Sequence, residues 1–161
     1  MENEWTDPGR PEKMPRGPWS GEPDGVRFTS KVGYPCVLRR GGAKAWCGYV
    51  GIPDNHPLHG KPCQECDVDV HGGLTYSAPC QHGPSAFPIC HTPAPGEPDN
   101  VWWLGFDCAH AGDALPYWDG RTETVMASHY GDGSGDVYRT VEYVRAETEA
   151  LAERLFLLAP A

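Results

Sequence analysis

Between residues 101 and 113 apolar and polar positions alternate with period 2, the spacing that puts successive side chains on opposite faces of a β-strand. Trp102, Leu104, Phe106, Cys108 and His110 fall on one side, Trp103, Gly105, Asp107 and Ala109 on the other. The first set predicts a core face. The second, a large aromatic and a carboxylate beside a glycine, predicts a half-exposed working surface. Gly112 ends the run and leaves His110 and Asp113 at its mouth. Shorter β-leaning runs at residues 26–29 and 35–38 lead into an Arg40-Gly41-Gly42 turn, after which residues 45–51 alternate again, Trp46 and Val50 against Cys47 and Tyr49. Residues 68–77 predict a further strand, bulged at Gly72-Gly73, with Val68, Val70, Leu74 and Tyr76 toward the core and Asp69, His71 and Thr75 away from it.

Near the C-terminus the period changes. Val141, Val144, Thr148, Leu151, Leu155 and Leu158 recur three or four apart, Glu142, Glu147, Glu149 and Glu153 lie largely on the far side, and Thr140 stands where a cap is needed. This predicts an amphipathic helix lying over Trp46, Leu74, Trp102 and Phe106. The expected fold class is therefore α+β: a mainly antiparallel sheet packed by a C-terminal amphipathic helix, with long Pro/Gly/Cys/His-rich loops. Pro8, Pro11, Pro15, Pro18 and Pro23 forbid a regular helix in residues 1–25. That segment is expected as an extended Pro-rich arm, laid by Trp5 and Trp19 against a single domain of residues 26–161.

Composition narrows the function classes. A formal charge of −9 opposes a general grip on nucleic acid, which needs clustered Lys and Arg. The one local basic group, Arg39, Arg40 and Lys44, is expected as a solvated hairpin tip. No apolar run of about 18 residues and no signal-peptide pattern occurs, so a cytoplasmic protein without membrane contact is expected. Seven Cys in a reducing compartment direct attention to metal, catalysis or burial before disulfides.

Three constellations carry possible chemistry. If the strands at 45–51, 68–77 and 101–113 are neighbours, Cys47, Tyr49, His71, Thr75, Trp103 and Asp107 share a surface suited to a flat polar ligand. There His71 with Asp107 or Asp113 would form an acid/base pair, and Cys47 a nucleophile if His71 lowered its pKa. A second is the Cys63-x-x-Cys66 knuckle, closed by Cys80 and Cys90 with His82 and His91 nearby, as a structural zinc site. A third is a metal on His71, Cys108, His110 and Asp113 with a position open to water; with Asp107 these acids and histidines would be the catalytic set of a small hydrolase.

Three phrases, WCGYVG at 46–51, VHGGLTY at 70–76 and WWLGFDCAHAGD at 102–113, with Tyr138-Arg139 and Tyr143-Val144 after them, resemble a family of small proteins of actinobacteria, other bacteria and their phages. The resemblance covers residues 17 to 158 and leaves out the Cys63/Cys66 pair. It carries no catalytic residues, and implies an intracellular, phage-type accessory protein. Together with the polar sheet face this leads to a binding protein for a small polar, nucleotide-like ligand or a host protein, in a counter-defence role. A metal- or acid/base-dependent hydrolase and a scaffold docking through its N-terminal arm are the alternatives.

Overall fold

The structure is a computed structural model that describes residues 2–10, 14–91, 99–116 and 126–160. Six strands, β1 (Asn3–Trp5), β2 (Gly25–Thr29), β3 (Pro35–Arg40), β4 (Trp46–Ile52), β5 (Tyr76–Pro79) and β6 (Trp102–Asp107), form one antiparallel sheet in the order β1-β2-β3-β4-β6-β5. A short parallel pair, β7 (Ala114–Leu115) and β8 (Ser128–His129), stands apart from it, and one helix, α1 (Val141–Leu158), closes the chain. The fold is α+β with a mainly antiparallel sheet. No helix among the described residues is long and apolar enough to cross a membrane.

Strand β4 is buried along its whole length because both faces of the sheet are covered. On one face α1 lays Val144, Thr148, Leu151, Ala152 and Leu155 against Trp46, Val50, Leu104, Phe106 and Cys108. Gly48 makes that approach possible. A Cβ there would lie 2.2 Å from Thr148 Oγ1 and 2.6 Å from Phe106, closer than any side chain tolerates. The helix starts where its free amides find acceptors: Thr140 Oγ1 accepts from Tyr143 N at 3.2 Å, and the Glu22 carboxylate accepts from Val141 N at 2.7 Å. Leu158, expected on the core face, is half exposed with Phe156 and Leu157 past the last buried turn.

The opposite face is also closed, which corrects the expected working surface. Val37, Cys47, Tyr49 and Trp103 form a second core beneath Phe87 and Ile89 of the 80–91 loop, which a Cys80–Cys90 disulfide ties. Two arginines hold this roof down by its carbonyls. Arg27 donates to Pro88 O and Cys90 O, each at 3.1 Å, and Arg39 Nη1 donates to Phe87 O and Gln81 Oε1, each at 3.0 Å. Isolated apolar residues in a Pro-rich loop have no period, so alternation along the strands could not reveal the cover.

The 68–77 strand shrinks to Tyr76–Pro79. Gly72 and Gly73 take φ of +69° and +82°, and two left-handed residues in succession turn the chain where a bulge would only have bent it. The turn closes through Gly73 N donating to Val70 O at 2.9 Å and leaves His71 off the sheet. Tyr76 consequently faces the second core, edge-on to Tyr49 with 5.0 Å between ring centroids.

The arm belongs to the fold. Strand β1 pairs with β2, and Trp19 is buried. Glu22 and Asp24 reach inward to Arg40, whose guanidinium lies 4.4 Å from the Trp46 ring centroid. Glu22 also accepts from Trp46 Nε1 and the Tyr138 hydroxyl. Arg40, expected in solvent, is 4 % exposed.

Candidate functional site

The polar residues of the HGG and FDCAHAGD phrases do converge, at the end of the sheet where two turns meet the start of α1. Asp113 is the hub. Its buried carboxylate accepts from His71 Nε2 at 2.9 Å, from Arg139 Nε at 2.8 Å and from the His110 backbone N–H at 3.0 Å. A backbone bridge between Asp113 and Val137 brings Arg139 within reach. With Arg139 Nε and the His110 N–H on the same carboxylate, His71 Nε2 is the third group turned toward Asp113. The Tyr143 hydroxyl, 2.7 Å from Nδ1, occupies the other ring nitrogen. Desolvation holds the Tyr143 hydroxyl above its ordinary pKa, and the Glu147 carboxylate beside it acts in the same direction. The hydrogen bond to Asp113 raises the Arg139 pKa further.

His110 and Asp107 form the outer part. The His110 ring stands 6.2 Å from that of His71, and it fits only because residue 72 lacks a side chain: a Cβ there would meet His110 Cδ2 at 2.2 Å. His110 Nε2 is covered and lies 3.2 Å from Asp107 Oδ1 without the alignment of a hydrogen bond. Asp107 accepts from the Thr75 hydroxyl at 2.8 Å and from Ala109 N at 3.1 Å. About a third of each of the His110 and Asp107 side chains is exposed.

Thus His71, Thr75, Asp107, His110 and Asp113 gather, together with Arg139 and Tyr143. The other expected members do not join them. Strand pairing puts Cys47 opposite Asp107, but Cys47, Tyr49 and Trp103 are sealed in the second core. Burial pushes the Cys47 thiol up to about 12, so it remains protonated at neutral pH and is no nucleophile. Cys108 is buried under α1 and its thiol is likewise raised by burial. The four-cysteine zinc set is split by the sheet. Cys63 and Cys66 sit in a short 3-10 turn, with Cys66 packed on the helix side and its thiol donating to Pro62 O at 3.3 Å, while Cys80 and Cys90 lie on the opposite side. Among the described residues the one group of donor atoms close enough to hold a metal ion is Cys80, Cys90, His91 and Asp99.

A concavity that the periodicity did not signal lies between the arm, the β3–β4 hairpin and the roof loop. Its volume is about 190 Å³, and Arg10, Arg39, Arg40 and Lys44 line it with Asp7, Asp24, Trp5 and Phe87. Asp24 is engaged by Arg40 Nε at 2.8 Å and by the Asp7 backbone N–H at 2.8 Å. Among the described residues neither Arg39 nor Lys44 has a carboxylate partner; the contacts of Arg39 are the neutral oxygens of Gln81 and Phe87. Trp5 stacks on Phe87 at 6.0 Å with 16° between their planes, and the Arg27 guanidinium lies 4.1 Å from the Phe87 ring centroid. The clue in the sequence was the cluster Arg39, Arg40 and Lys44, the principal basic group of an acidic chain. Compared with known proteins, the chain matches no family model, no curated protein and no solved structure.

Proposed function

We propose that this chain is a non-catalytic binding protein whose ligand is a small anion, carrying a phosphate or carboxylate, taken into the arginine-lined cavity. The observation that carries the reading is the pair Arg39 and Lys44, cations with no carboxylate partner among the described residues, on one concavity of a chain with formal charge −9. In a partly desolvated site, cations without carboxylate partners attract an anion strongly. The size decides what can enter. Pockets that enclose a drug-sized ligand measure roughly 300 Å³ or more. A cavity of about 190 Å³ therefore suits a phosphate-bearing end, with any remainder of the ligand beside Trp5. A nucleotide-like signal fits that description, and its sequestration is what a phage-type counter-defence protein would accomplish. On this reading any zinc is structural, fastening the loop that walls the pocket. Calorimetry with inorganic phosphate, nucleoside monophosphates and cyclic nucleotides tests it. At least one should bind, and Arg39→Gln should weaken binding about tenfold, the equivalent of about 1.4 kcal/mol. No binding across the panel refutes the reading.

A second reading, an acid/base hydrolase, is favoured by the gathering of His71, Asp107, His110 and Asp113 in one cluster. Against it, both ring nitrogens of His71 are engaged and Asp113 is 1 % exposed, which leaves only the His110–Asp107 rim for a substrate. Phosphoester or amide hydrolysis lost on His110→Ala, with the fold retained, would decide for the enzyme. The scaffold reading has less support, because Trp5 and Trp19 are already committed within the chain.

A further inference from the structure

We propose that Cys80, Cys90, His91 and Asp99 are a zinc site that forms when the Cys80–Cys90 disulfide is reduced, so that the roof loop is fastened by a covalent bond in oxidising surroundings and by a metal ion in reducing ones. The inference does not depend on what the cavity binds. The four donor atoms lie within 4.8 Å of one another. His91 Nδ1 is 3.7 Å from Cys80 Sγ and 4.0 Å from Cys90 Sγ, and Asp99 Oδ1 is 4.0 Å from Cys90 Sγ. In a tetrahedral zinc site, with Zn–S about 2.3 Å and Zn–N or Zn–O about 2.0–2.2 Å, sulfur and its neighbouring ligand atoms are separated by about 3.6 Å. The imidazole and the carboxylate are therefore already near their working separations from the sulfurs, while the two sulfurs, bonded to each other in the disulfide, must part on reduction.

Two further contacts suit a metal centre. The Trp103 indole N–H donates to Cys80 Sγ at 3.2 Å from inside the second core, the kind of bond that stabilises thiolate character on a ligating sulfur. His82 Nε2 lies 3.3 Å from Asp99 Oδ2, which orients the carboxylate and leaves Oδ1 toward the sulfurs. The exchange balances. A dithiol reductant gives two electrons and two protons and becomes a disulfide, the Cys80–Cys90 bond breaks to two thiols, and Zn²⁺ then displaces both thiol protons to solvent as it takes the two thiolates, the imidazole and the carboxylate.

The test uses the full chain, oxidised or reduced with excess dithiol under anaerobic conditions, then exposed to zinc and desalted. Reduced protein should keep one zinc per chain and oxidised protein none. Cobalt in place of zinc should give the intense visible bands of a tetrahedral thiolate site. The Cys63→Ser/Cys66→Ser double variant should bind as the wild type does. His91→Ala and Asp99→Asn, which leave the disulfide able to form, should each weaken zinc at least tenfold. Absence of stoichiometric zinc in the reduced chain, its loss in the Cys63→Ser/Cys66→Ser variant, or unchanged affinity in His91→Ala and Asp99→Asn would each overturn the proposal.

Discussion

Removing the Asp113 carboxylate separates a structural hub from a catalytic group. In Asp113→Ala three donors lose their acceptor at once: His71 Nε2, Arg139 Nε and the His110 N–H. Breaking a buried charged pair by deleting one partner costs about 3–5 kcal/mol when the other stays buried. Arg139 is a quarter exposed, so water recovers part of that and about 3 kcal/mol is expected. For a chain of this length each kcal/mol corresponds to about 2–4 °C, so the melting temperature should fall by about 6–12 °C. Urea unfolding followed by fluorescence gives the free energy, and constancy of its slope checks that the unfolded state is unchanged. An Asp113→Ala/Arg139→Ala double variant should lose less than the two single changes together, because no guanidinium is then left without its partner. A change below about 1 kcal/mol would refute the reasoning, and a gain in stability would transfer support to the hydrolase, since groups placed for chemistry are often held at a cost to the fold.

Other outcomes follow from the same contacts. Glu22→Ala removes the acceptor shared by Arg40, Trp46, Tyr138 and the first amide of α1; it should destabilise by about 3 kcal/mol, and hydrogen exchange at residues 141–144 should speed up more than at 151–155. Gly48→Ala should cost about 1–3 kcal/mol by driving a methyl into Thr148 and Phe106, and adding Thr148→Ala should recover part of it. Burial pushes the Cys36 and Cys47 thiols up to about 12, so the folded chain holds these protons more tightly than the unfolded chain does. Their contribution is complete below the ordinary thiol pKa, near 9, and is lost as pH rises toward about 12, by about 1.4 kcal/mol per thiol per pH unit. Urea midpoints measured across that window should therefore fall, and less steeply in Cys47→Ala; a flat profile contradicts the burial argument.

Much of the fold was legible because its causes are periodic. The 3.6-residue recurrence of Val144, Thr148, Leu151 and Leu155 gave α1 and its buried face, and the alternation at 46–50 and 102–106 gave the adjacent strands β4 and β6. What escaped is held by single side chains. Phe87 and Ile89 close the second face from an irregular loop, and Glu22 and Asp24 draw Arg40 inward from an arm whose prolines suggested only extension. The acid and histidine cluster was half legible. His110 and Asp113 are neighbours in sequence, whereas His71 joins them through a glycine turn, and Arg139 and Tyr143 arrive from the start of the helix. The cavity was least visible, since its cations come from the arm and from one hairpin and only tertiary packing sets them around a common space.

The most direct test of the anion-binding account is a nuclear magnetic resonance titration of the isotopically labelled full chain with inorganic phosphate, following backbone amides and arginine side chains. Saturable shifts should concentrate at Arg39, Lys44 and residues 85–87, should weaken as salt rises, and should vanish in Arg39→Gln/Lys44→Gln. Shifts centred on His110 and Asp107, or no saturable shifts at all, would contradict the account.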